Sequence, residues 1–175
     1  MSLREKINED IKKAMQKKNE LLLLVLRGVN AAIHNKEIEK RTKLSKNEKD
    51  IKKLEELSKL SDEEILEAVS SEAKKRKEAI IEFSALGGSA SGGGKEKIDN
   101  AINKEKLELE ILKKYLPEQM DEGQIKEKAQ KAIKESGATG PQDTGRVMSV
   151  LMSKLKGKAD GSLVSKIVAE LLNNL

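Results

Sequence analysis

Residues 107–119 read LELEILKKYLPEQ and contain the break that divides this sequence into two parts. Apolar side chains recur at helical spacing before the break, at Ile98, Ile102, Leu109, Leu112 and Leu116. Leu116 is followed by Pro117, and a residue that precedes proline is driven out of the α-helical region. The helix must therefore end here, and we place a domain boundary at Pro117.

The part that follows the break has the pattern of three short helices. Amphipathic segments span about 121–136, 143–155 and 161–172, and Gly137 and Gly157 follow the first two segments, where glycine favours a helix C-terminus. We therefore predict a C-terminal three-helix domain over residues 118–175.

The part that precedes the break predicts an N-terminal helical domain over residues 1–117. Capping boxes of the form S-x-x-E begin at Ser2, Ser45 and Ser61 and predict three helix starts. The box at Ser45 would open a short Lys-rich helix, and the box at Ser61 a long helix that ends near Leu86. A further helix over about 20–40 has an unusually wide apolar face, so we expect it to be the central one.

Residues 87–94 read GGSASGGG and predict a flexible connector, because glycine loses much conformational entropy in a helix or a strand. The run is followed by Lys95, which suggests a phosphate-binding loop. That motif requires glycine at position 89 and serine or threonine at position 96, whereas the sequence has Ser89 and Glu96. We therefore predict no nucleotide site here.

The composition supports an all-α fold. Charged residues make up 37% of the 175 residues, aromatic residues only 1%, and there are two prolines. Cysteine is absent, which excludes disulfides and thiolate chemistry. The longest apolar run, residues 21–26, is too short to span a membrane, so we expect a soluble, cytoplasmic protein without a membrane partner.

The sequence lacks the residues that catalysis usually needs. His34 is the only histidine and lies within a predicted helix, so it could serve a Ser/His/Asp triad only with a serine brought from elsewhere. The acidic residues alternate with lysines at helical spacing, which is typical of solvated ion pairs rather than of metal sites. We predict no catalytic residue, no metal and no cofactor. Phe83 and Tyr115, the only aromatic residues, are expected to pack between helices rather than to stack on bases.

Several short segments together resemble one known family. They are YLPEQ at 115–119, GAT at 137–139, DTGRVM at 143–148 and KGKADG at 156–161, with LR at 26–27, LSDEE at 60–64 and KKRKE at 74–78. In this order and at these separations they resemble the YqeY-like family, which is similar to the C-terminal tail domain of the B subunit of tRNA-dependent amidotransferases. The resemblance implies an all-α protein with a helical N-terminal domain and a C-terminal three-helix bundle.

The resemblance also implies a function. The tail of the amidotransferase engages the tRNA body, so a free-standing relative is expected to be a non-catalytic tRNA-binding or amidotransferase-associated adaptor. Its partners would be tRNA and an amidotransferase or another protein of tRNA metabolism. A protein-interaction module with an unknown partner is the alternative. Carbon-nitrogen ligase activity with glutamine as amide donor is a third hypothesis that rests on family similarity alone.

The turn at 156–161 is the candidate tRNA contact. It precedes a predicted helix N-terminus, where free N–H groups favour a phosphate. The basic residues that could contribute are Arg146, Lys154, Lys156, Lys158 and Lys166. The same turn is also explained by Gly157 as a C-terminal cap, Asp160 as an N-cap and the lysines as solubilising residues, and Asp160 would compete with a phosphate for the same N–H groups.

Overall fold

The computed structural model describes residues 1–88, 92–155 and 157–174. This part of the chain forms eight α-helices, one short 3-10 helix and no strand, which confirms the all-α prediction. The N-terminal helices are α1 (Leu3–Gln16), α2 (Glu20–Leu44), α3 (Ile51–Ser58), α4 (Asp62–Gly87) and α5 (Gly93–Lys113). The C-terminal helices are α6 (Glu122–Ser136), α7 (Thr144–Leu155) and α8 (Gly161–Asn173), and the 3-10 helix Pro141–Asp143 leads into α7.

The helices form two compact units, Met1–Tyr115 and Leu116–Leu175. In the first unit α2 contacts α1, α3, α4 and α5, so it is the central helix that its wide apolar face predicts. In the second unit α6, α7 and α8 pack pairwise. They enclose a core that includes Ile125, Val147, Leu151 and Val168.

Two of the predicted capping boxes are present, and they define where helices begin. Ser2 accepts a hydrogen bond from the Glu5 amide while Glu5 accepts one from the Ser2 amide, and Ser61 and Glu64 make the same reciprocal pair. Gly137 ends α6 in the left-handed region, with φ of 62°. These local signals were sufficient to predict the helix ends, because each cap depends on residues that are at most a few positions apart.

The predicted helix start at Ser45 is wrong. Helix α2 continues through Leu44, and Ser45 is its C-terminal cap, with the Ser45 hydroxyl donating to the Thr42 carbonyl at 2.9 Å. Helix α3 begins at Ile51 instead, because the Asp50 carboxylate accepts hydrogen bonds from the first free amides of that helix. Aspartate caps a helix as well as serine does, so the motif alone could not choose between the two positions.

The predicted connector is shorter than the glycine run. Helix α4 includes Gly87 and α5 begins at Gly93, so residues at both ends of 87–94 are helical, while Ser89, Ala90 and Ser91 lie outside the described residues. A β-carbon at Gly87 would lie 3.4 Å from Ile98 Cγ2, which shows that α4 and α5 pack closely at this end. That packing offsets the cost of about 1 kcal/mol for glycine in a helix.

A fragment of residues 118–175 is predicted to fold without the rest of the chain. Its three helices share one core of fully buried aliphatic side chains. A core of this size gives only marginal stability. Circular dichroism of the fragment should show helical signal lost in one cooperative thermal transition, and a gradual, non-cooperative loss would contradict the prediction.

Candidate nucleic-acid interface

Two of the predicted contact residues on α7 are engaged in ion pairs. Lys154 Nζ lies 2.6 Å from Glu135 Oε2 on α6, and both side chains are exposed. Arg146 pairs with Asp143 one turn earlier. The Thr139 amide and then the Arg146 guanidinium lower the pKa of the Asp143 carboxyl below its usual value. A phosphate would therefore have to compete with a carboxylate at each of these cations.

Lys158 lies in a turn that is held by two hydrogen bonds. The Met120 amide donates to the Lys158 carbonyl at 2.8 Å, and the Gln119 side chain donates to the Gly157 carbonyl at 2.7 Å. These two hydrogen bonds connect the turn to the segment that precedes α6. Sequence analysis missed this role of Gln119, and no local spacing could have indicated it, because 38 residues separate the two partners.

The N-terminus of α8 is capped by its own chain. Asp160 Oδ1 accepts a hydrogen bond from the Ser162 amide at 2.8 Å. Its carboxylate also adds negative charge where a phosphate would bind, as the sequence suggested. A phosphate site on the free amides of α8 is therefore disfavoured, and any contact at this turn depends on lysine side chains.

The remaining predicted contact residues are Lys156, Lys158 and Lys166. Lys166 is exposed on α8 and Lys158 is exposed in the turn, and neither has an acidic group within 4 Å among the described residues. Lys156 lies outside the described residues. The whole unit, 116–175, contains nine basic and eight acidic residues, so its net charge is close to zero.

The dense basic run at 74–77 on α4 is largely neutralised by its neighbours. Lys75 Nζ lies 2.6 Å from Glu72, and Lys74 Nζ lies 3.9 Å from Glu78. Arg76 Nε lies 2.8 Å from Glu108 Oε2 on α5. The run does not form a continuous basic stripe, because these side chains point to different partners around the helix.

The single tyrosine is a packing residue, as predicted. Tyr115 is buried, its hydroxyl donates to Asp10 Oδ2 at 2.7 Å, and Lys6 Nζ lies 5.3 Å from the ring centre. Burial, followed by the hydrogen bond to Asp10, raises the pKa of the Tyr115 hydroxyl above its usual value. Phe83 is partly buried on α4. Neither residue is fully exposed, as an aromatic platform for single-stranded bases would be.

His34 and a serine do line one groove, between α2 and α3. The groove has a volume of about 210 Å³ and also contains Glu37 and Glu55. The Ser58 hydroxyl, however, donates to the Glu55 carbonyl at 3.1 Å, and His34 makes no hydrogen bond within the described part of the chain. The arrangement is not that of an activated nucleophile, which needs serine and histidine in hydrogen-bond contact.

Neither a metal-binding cluster nor a membrane-spanning helix is present in the part of the chain that the structure describes. Residues 1–88, 92–155 and 157–174 contain no group of three or more acidic or histidine side chains that could hold a metal ion. No described helix combines the length and the apolar character that crossing a membrane requires.

The structure defines a class of protein: over its described residues it is an all-helical chain with a five-helix unit and a compact three-helix unit. The sequence model of the family described as Yqey-like protein matches residues 4–172. The chain therefore belongs to the YqeY family. No curated protein matches the sequence.

Proposed function

We propose that this chain is a non-catalytic adaptor that binds tRNA through its C-terminal unit, alone or together with an amidotransferase. The proposal starts from membership of the YqeY family. It adds the expectation, drawn from the sequence motifs, that this family resembles the tail of the amidotransferase B subunit. Recognition would rest on phosphate contacts, which position a folded RNA without reading its sequence.

The observation that carries the proposal is that the turn containing Lys158 is held in place by hydrogen bonds. Two hydrogen bonds hold its backbone, and the lysine side chain is exposed without an ion-pair partner among the described residues. A preorganised cation loses less entropy on binding a phosphate than one on a mobile loop. Lys166 adds a second cation of the same kind on α8.

Binding of a protein partner is the second candidate function, and a groove in the same unit favours it. The groove has a volume of about 360 Å³ between α6 and α8 and is lined by Gln130, Ile133, Lys134, Leu171 and Asn174. Its apolar floor could accept a side chain of another protein. Ligase activity of the free chain, the third hypothesis, is supported by family similarity alone.

The test is filter binding of total tRNA to the full chain at several salt concentrations. Lys158→Gln combined with Lys166→Gln should reduce the magnitude of the salt slope by roughly 0.7 to 0.9 for each phosphate that the variant no longer neutralises. The matched control is Lys126→Gln combined with Lys128→Gln, which removes the same charge from exposed positions on α6. Circular dichroism should show unchanged helix content in both variants.

The outcomes separate the hypotheses. A smaller slope for the first variant alone supports the assignment of Lys158 and Lys166. Equal slopes for the two variants would remove that assignment. If the parent chain binds no tRNA at low salt, the RNA hypothesis is wrong. Binding of a protein partner, in a complex that salt does not weaken, then becomes the leading hypothesis.

A further inference from the structure

Helices α4 and α5 form an antiparallel hairpin whose far part lacks a buried core. Arg76 of α4 pairs with Glu108 of α5, whereas Gly87 of α4 lies close to Ile98 of α5. Later residues of α4 thus contact earlier residues of α5, so the two helices are antiparallel. Between Ala73 and Glu108 no described residue is buried. We call residues 74–88 and 92–107 the arm, which contains about 14 residues of each helix and is therefore about 21 Å long.

The arm carries much of the net charge of the protein. Residues 74–107 contain eight basic and five acidic residues, a net charge of +3, whereas the whole chain has +5. The arm lysines that have no acidic group within 4 Å among the described residues are Lys77, Lys95, Lys97, Lys104 and Lys106. The C-terminal unit, by contrast, is nearly neutral.

Two of these lysines form one surface. Lys97 and Lys104 are both exposed on α5 and lie seven residues apart. In an α-helix this spacing places them within about 20° of the same direction and about 10 Å apart along the axis. Glu96 and Asp99 point at least about 80° away from that direction. Glu108 lies on the same helix face, four residues after Lys104, but its carboxylate is buried and paired with Arg76. The two ammonium groups can therefore approach one ligand without a competing exposed carboxylate of that face.

We infer that the arm is a second contact surface for RNA, with the Lys97 and Lys104 face bound to the phosphate backbone of a helical stem. The inference rests on the proposed tRNA-binding function and adds a site in the N-terminal unit. A helical stem suits the arm better than a single strand, because its one aromatic residue, Phe83, is partly buried.

A second copy of the chain is the competing occupant of the arm. Ile81 and Leu86 are 68% and 61% exposed and could form an apolar contact. Two arms of the same net charge would repel each other, whereas a phosphate backbone has the opposite charge. The electrostatics of the arm therefore favour RNA.

The experiment compares two double variants of the full chain in filter binding with total tRNA. Lys97→Gln combined with Lys104→Gln should reduce the magnitude of the salt slope by roughly 1.4 to 1.8, since this variant no longer neutralises two of the phosphates. Lys46→Gln combined with Lys52→Gln removes the same charge from exposed positions of the same unit, and its slope should remain that of the parent. Circular dichroism should confirm that both variants keep their helices.

Each alternative result has one meaning. If the parent binds tRNA and the arm variant keeps the parent slope, the arm inference is wrong while the proposed function stands. If the parent binds no tRNA, the proposed function itself is wrong, and the arm inference falls with it. A dimer in sedimentation analysis that Ile81→Ser converts to monomer, with an unchanged RNA slope, would assign the arm to self-association.

Discussion

Replacing Arg76 with alanine should destabilise the N-terminal unit by about 3 kcal/mol, because it leaves a buried carboxylate without its counter-ion. Glu108 Oε2 lies 2.8 Å from Arg76 Nε, and the Glu108 side chain is only 4% exposed. Glu105 Oε2 lies 3.5 Å from the same nitrogen, so the Arg76 guanidinium forms ion pairs with two carboxylates. The substitution therefore takes the positive charge away from both.

The Arg76 prediction is checked by urea denaturation followed by circular dichroism. The double variant Arg76→Ala with Glu108→Leu should be more stable than the single variant, since it removes the more deeply buried of the two carboxylates that lose their counter-ion. Lys75→Ala is the matched control on the adjacent residue. Its ion pair with Glu72 is exposed at the lysine, so the change in stability should stay within about 0.5 kcal/mol.

Two results would contradict this role of Arg76. One is a destabilisation below about 1 kcal/mol for Arg76→Ala, which would mean that water reaches Glu108 and replaces the guanidinium. The other is a double variant no more stable than the single one, which would mean that the Arg76 stem contributes packing rather than charge.

Replacing Leu151 with alanine should destabilise the C-terminal unit by about 3 kcal/mol. Leu151 is fully buried on α7, and its side chain belongs to the core that α6, α7 and α8 share. The substitution removes apolar packing and leaves a cavity that neighbouring side chains fill only in part. A unit of this size has a total stability of about 3 to 9 kcal/mol, so the destabilisation is a large fraction of it.

The Leu151 prediction is measured on the 118–175 fragment and on the full chain by thermal denaturation. Lys154→Ala, one turn away on α7, is the control, because its exposed ion pair with Glu135 should contribute less than about 1 kcal/mol. If Leu151→Ala lowers stability no more than Lys154→Ala does, then the three helices do not share a tightly packed core.

Much of the helical architecture was predictable because its signals are local. The reciprocal bonds of Ser2 with Glu5 and of Ser61 with Glu64 join residues three apart. The left-handed cap at Gly137 needs only one residue that tolerates positive φ. The start of α3 was missed because Ser45 and Asp50 are both good caps, and the choice depends on how far α2 extends.

The candidate site was predictable only as a set of basic residues. The sequence pointed to five residues, namely Arg146, Lys154, Lys156, Lys158 and Lys166. Of the four that the structure describes, two have ion-pair partners and two have none among the described residues. The Arg146 partner lies three residues away, so helical spacing could have indicated it. The Lys154 partner, Glu135, lies on another helix and could not be inferred in this way.

The sequence by itself determined most of the helices and of their caps, since backbone sterics and hydrogen bonds within one or two turns decide them. It also indicated that a helix ends before Pro117, although α5 ends earlier than the predicted Leu116, at Lys113. Tertiary structure decided which distant polar groups meet. Arg76 with Glu108 and Gln119 with Gly157 each join residues more than 30 positions apart. The physical reason is that such contacts depend on the angle and register at which whole elements pack, and many distant side chains set these together.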